Sequence, residues 1–96
     1  MIVYINNLGK SIFKILPLKE EHNKGLNEYI DSLLIQMNGA LITYPQLKCN
    51  NEYIAMLNII NYFSCNEFNV RQCKREVFKC LNILDTLKKE YGLWKV

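Results

Sequence analysis

Seven apolar positions near the C-terminus constrain this chain most. Val70, Cys73, Val77, Cys80, Leu84, Leu87 and Tyr91 follow one another at steps of 3, 4, 3, 4, 3 and 4. This is the heptad alternation, which lines a and d side chains along one edge of an α-helix, here with a at Val70, Val77, Leu84 and Tyr91. A strand cannot use it, because successive side chains of a strand point to opposite faces. Stepping the register back places Met56 and Phe63 on a and Ile59 on d, with Ile60 beside them. Asn66 breaks the edge, at a d position. Stripes in phase predict one continuous helix from about 51 to 91, roughly 60 Å long at 1.5 Å per residue. The alternative is a break at Ser64-Cys65-Asn66, with Asn66 or Asn69 capping a separate helix. Asn50 offers an N-cap oxygen at the start, and Gly92 supplies a stop.

A helix of that length needs cover, and a chain of 96 residues has little to give. A chain of this size buries only about 60–65% of the surface it exposes when unfolded. Leu26, Ile30, Leu33 and Met37 recur at steps of 4, 3 and 4, widened by Tyr29 and Leu34. They predict a medium amphipathic helix over 20–38, with Glu20 and Glu21 at its positive end and Asn38-Gly39 as its stop. Such a helix covers about half of the long one. The expectation is therefore self-association, with the edge from Val70 to Tyr91 entering holes on another copy. Leu81 at e and Phe78 at b broaden that edge beyond a two-stranded seam, so a homodimer and a tetramer are both open. Cys73 and Cys80, on d, read as small hydrophobes.

The N-terminus reads differently. Ile2-Val3-Tyr4-Ile5 is a β-branched and aromatic run, Asn6-Asn7-Leu8-Gly9 has turn composition, and Ser11-Ile12-Phe13-Lys14-Ile15-Leu16 is closed by Pro17. Two short runs around an Asn/Gly turn predict a β-hairpin over 2–16. Pro45 biases Tyr44 out of the helical region, so 40–45 reads as a connector, with Leu47 as an anchor into the core. The predicted fold class is α+β, mainly α, in a single domain over 1–96. It has an N-terminal β-hairpin, one medium helix and a long heptad-patterned C-terminal helix.

Little in the sequence points to chemistry. Cys49, Cys65, Cys73 and Cys80 are spaced 16, 8 and 7 apart, and the only histidine is His22. This is not the spacing of a zinc site, and no cofactor is expected. His22 stands beside Glu20 and Glu21 with no nucleophile indicated, so it reads as an exposed cap region and the chain as a non-enzyme. The net charge of +3 is too weak to imply nucleic acid by itself. Arg71, Lys74, Arg75 and Lys79 form a basic cluster, either a contact for an acidic partner or a solvated helix face. They show no recognition-helix pattern. No apolar run approaches the roughly 18 residues of a membrane span. Lys10 and Lys14 interrupt the early apolar runs as no signal peptide would allow. The expectation is a cytoplasmic protein with reduced thiols. Counts of 12 Asn, 11 Ile and 10 Lys match the composition of AT-rich genomes, those of low-GC bacteria and their phages.

Three local stretches carry a family likeness. They are Glu28-Tyr29-Ile30-Asp31, then Tyr44-Pro45-Gln46-Leu47, then Ile54-Ala55-Met56-Leu57-Asn58-Ile59-Ile60-Asn61-Tyr62-Phe63. With the order hairpin, helix, Pro-containing connector and long helix, residues 2–90 resemble the ZapA cell-division proteins. The resemblance implies a helical oligomer that binds FtsZ and cross-links its filaments. A second expectation belongs to another class: a small phage or mobile-element inhibitor of a host protein, an anti-CRISPR or other anti-defence protein. Such a protein occupies a host surface and needs no catalytic set.

Overall fold

A few punctuating residues decide where the chain turns. The computed structural model describes residues 1–92, and its elements are all helical: α1 (Ile2–Phe13), α2 (Ile15–Glu20), α3 (Leu26–Thr43), a 3-10 turn (Pro45–Cys49), α4 (Asn51–Cys65) and α5 (Val70–Glu90). Pro17 has no N–H to give the Phe13 carbonyl, so the first helix bends at Lys14 and restarts as α2 with the proline in its opening turn. α2 closes on His22, whose φ of 53° is left-handed. There the His22 N–H bonds the Lys19 carbonyl at 3.1 Å and the Asn23 N–H bonds the Leu18 carbonyl at 3.0 Å. This pair of bonds is the Schellman closure. His22 thus ends a helix where the sequence suggested it began one.

The expected β-hairpin over 2–16 does not form; α1 and α2 stand in its place. The residues that looked like alternating strand positions also fit helical spacing. Ile5, Leu8, Ile12 and Ile15 recur at steps of 3, 4 and 3, with Leu16 four residues after Ile12, and all are buried. Local β-propensity spans only about 1 kcal/mol, less than burial of one apolar stripe contributes. Gly9, read as a turn residue, lies inside α1 at a close approach of helices. A Cβ there would sit 3.4 Å from Leu84 Cδ1 and 4.0 Å from Leu81 Cδ2.

The medium helix is also displaced: Gly39 does not stop it, and α3 runs from Leu26 to Thr43. One interior glycine costs a helix only about 1 kcal/mol. Burial of Met37 and Ala40 on either side offsets that cost. The stop comes from Pro45, which holds Tyr44 at φ −124° and ψ 78°. Leu47, on the 3-10 turn that follows, is wholly buried.

The continuous helix from 51 to 91 is likewise replaced, by α4 and α5 with a reversal at 66–69. Asn66 adopts extended backbone, and its Nδ2 donates to the Tyr62 carbonyl at 3.1 Å. Asn69 caps α5, its Oδ1 accepting from the Gln72 N–H at 2.7 Å. Between them Phe68 folds inward against Phe63, with ring centroids 4.4 Å apart. Folding back lets α4 and α5 cover each other. Asn50 closes the other end, since its Oδ1 caps Tyr53 N–H and its Nδ2 donates to Glu90 Oε2 and Tyr91 Oη, both at 2.9 Å.

α5 is the element around which the rest assembles, packed by α1, α2 and α4, while α3 packs on α4 and the 3-10 turn. α1 and α2 run antiparallel to it, with Gly9 against Leu84 and Phe13 against Phe78. The body measures 37 × 23 × 20 Å. One polar thread crosses its core. Tyr53 Oη donates to the Met37 carbonyl at 2.7 Å, so the 2.8 Å bond between Tyr4 Oη and Tyr53 Oη has Tyr4 as donor. Burial raises the pKa of both phenols.

Candidate protein-binding face

The heptad edge, expected to meet another copy, faces this chain's own helices. Cys73, Val77, Cys80, Leu84 and Leu87 are each no more than 3% exposed within one chain. Ile83, off the a and d positions, is buried with them. The apolar edge of α5 is therefore wider than a seam, as contact with several helices requires. Val70 stays outside the core at 38% exposed, and Tyr91 is half-buried on Asn50. In α4 the inward stripe is Tyr53, Met56, Ile60 and Phe63; Ile59, placed on the seam by the heptad count, lies at the edge.

Burial also settles the two seam cysteines. It pushes the Cys73 thiol up to about 11 and the Cys80 thiol up to about 12, away from the reactive thiolate. Cys49 and Cys65 are exposed and free. Among the described residues, no three His, Cys, Asp or Glu side chains come together as a metal site would need. His22, Glu20 and Glu21 are exposed at the end of α2. No described helix is long and apolar enough to cross a membrane.

With one edge of α5 used for the core, its opposite face is left to solvent. Arg71, Lys74, Arg75 and Lys79 all lie there, exposed. At 100° per residue they fan across the outer half of the helix, with Phe78 in their midst. Phe78 is 43% exposed and meets Phe13 of α1, itself 47% exposed, edge to face at 6.3 Å. Arg75 Nε reaches Glu76 Oε1 at 3.3 Å, with the arginine side chain 69% exposed. Arg71, Lys74 and Lys79 have no ion pair among the described residues. Past Arg75 and Lys79 the face opens into a groove of about 280 Å³ between α4 and α5, lined by Asn58, Ile59, Tyr62, Gln72 and Glu76.

The arrangement combines what a protein-binding patch uses. Arginine and aromatic side chains dominate the energetics of such patches, and unpaired surface cations speed encounter with an acidic partner. The structure brings the four sequence-flagged cations onto one face. It adds Phe13, which the sequence reading missed because a strand at 11–16 would carry it away from α5. Reading Gly9 and Phe13 as i and i+4 of a helix is the signal that would have found it. Neither the hairpin nor the unbroken long helix of the ZapA-like layout is present among the described residues. No family model matches the chain, and neither does any curated protein or solved structure.

Proposed function

We propose that this protein is a non-enzymatic interaction module that binds an acidic protein surface on the outer face of α5. The observation that carries the reading is Phe78, left 43% exposed among four cations although it touches a second exposed phenylalanine. Leaving two large aromatic rings nearly half in water forgoes burial worth about 1 kcal/mol for each, a loss that a partner covering them would recover. Carboxylates on that partner would meet Arg71, Lys74 and Lys79, and an apolar side chain would enter the groove over Ile59. A protein fits better than nucleic acid because the charge is local: the whole chain carries only +3, and Glu76 sits in the same surface.

The test is an NMR titration of the full chain with a polyglutamate peptide and, separately, with a duplex oligonucleotide at the same ionic strength. The peptide should shift amides over 71–79 and near Phe13. The effect should vanish in an Arg71→Glu/Lys74→Glu variant whose melting temperature is unchanged. Shifts elsewhere, or tighter binding of the oligonucleotide, would overturn the reading.

A further inference from the structure

The outer face of α3 carries a second apolar surface that α5 does not explain. Ile35 is 73% exposed and Ile42 is 80% exposed. They are seven residues apart, so they lie on one stripe about 10 Å apart along the axis. Between them stands Gly39, exposed and with nothing within 4 Å of where its Cβ would be. Asn38, beside it, turns its Nδ2 back to the Leu34 carbonyl at 2.9 Å and so does not project. The stripe is thus two isoleucine ridges with a flat gap midway.

We infer that this face pairs with the same face of a second copy, the two α3 helices crossing antiparallel at Gly39. The shape is self-complementary. A two-fold axis through the gap sets each Ile35 against the partner's Ile42, while the missing side chain at Gly39 lets the backbones approach. Charge selects the direction. Glu28 and Asp31 are exposed at the N-terminal end of α3, and exposed Lys48 lies on the 3-10 turn at its C-terminal end. A parallel pair would stack carboxylates on carboxylates. An antiparallel pair keeps them about 20–30 Å apart along the axis and brings each acidic end to a lysine-bearing one. The acidic end also disfavours an anionic lipid surface as the occupant. One helix face offers less than the roughly 800 Å² per partner of a standard interface, so the dimer is weak and concentration-dependent. The inference is independent of the α5 face.

Sedimentation equilibrium on the full chain, at concentrations from about 10 to about 500 μM to reach a weak interface, should show the average mass rising from one chain, 11.3 kDa, toward two. Ile42→Asp should hold it at one chain throughout with its melting temperature unchanged. Cross-linking fixes the geometry, in a Cys49→Ser/Cys65→Ser background. Ile35→Cys mixed with Ile42→Cys should form a disulfide dimer under mild oxidation, at least tenfold faster than either variant alone. A single-chain mass at the highest concentration would overturn the inference. So would association that survives Ile42→Asp, or Ile35→Cys cross-linking to itself as fast as the mixture.

Discussion

The two faces of α5 come from one stretch of sequence and do opposite things. The inner face spends its heptad alternation on this chain's own α1, α2 and α4, so that Leu84 is 3% exposed. The outer face, four residues or fewer away at every point, keeps four cations and a phenylalanine in water. A heptad edge needs helices facing it, and nothing in its spacing says whose helices they are. Here the reversal at 66–69 and the bend at Lys14 fold enough chain back to fill the holes that a second copy was expected to fill.

The sharpest way to break this comparison is to place the same charge on each face. Leu84→Glu buries a carboxylate among apolar side chains and should destabilise the monomer by about 4 kcal/mol or more, melting all helices together in circular dichroism. Phe78→Glu, six residues earlier and nearly half in solvent, gives up only the contact with Phe13 and part of its burial and should cost about 1–2 kcal/mol. Equal losses in the two variants would mean that the faces are not distinct.

Alkaline titration sharpens the contrast further. The Cys73 and Cys80 thiols are held protonated in the folded chain, up to about 11 and about 12, while unfolded thiols titrate near 9. Above the unfolded value the unfolded chain binds fewer protons than the folded one. Stability is therefore complete below pH 9 and falls as pH rises toward 12. Cys80→Ala should flatten part of that fall in a series of urea melts. Cys65→Ala, at an exposed position, should leave it unchanged.

How much could be read from the chain follows the same division. Helical periodicity over 70–91, the Asn50 cap and the Leu47 anchor were legible, because each rests on a strong local pattern or a single side chain. The hairpin was misread because Ile2, Val3, Tyr4 and Ile5 favour strands locally, while the burial that decides against one lies some eighty residues away in α5. The break at 66–69 was visible as Asn66 on a d position and Asn69 as a possible cap. Those caps outweighed the continuity of the stripes only once Phe68 had a ring to pack against. Of the candidate face, the cations were legible and the aromatic pair was not, since Phe13 reaches Phe78 only if α1 is a helix.

Smaller effects probe the turns that fold α5 onto its neighbours. Asn69→Ala removes the cap accepting from Gln72 N–H and should cost about 1 kcal/mol in a urea melt. His22→Gly should act in the other direction, stabilising by up to about 1 kcal/mol, because glycine takes the left-handed backbone at position 22 without steric penalty. A loss of stability in that variant would show that the His22 side chain itself supports the turn.

The central claim is that the heptad edge of α5 is filled from within its own chain. An isotope-filtered NOE experiment on a mixture of labelled and unlabelled protein tests it directly at the contact between Gly9 and Leu84, where a Cβ would sit 3.4 Å from Cδ1. The account predicts a strong cross-peak between Gly9 Hα and the Leu84 methyl in the uniformly labelled sample. It predicts none in the filtered spectrum, which passes only contacts between chains. A filtered cross-peak of comparable strength would contradict it and return the edge to a second copy.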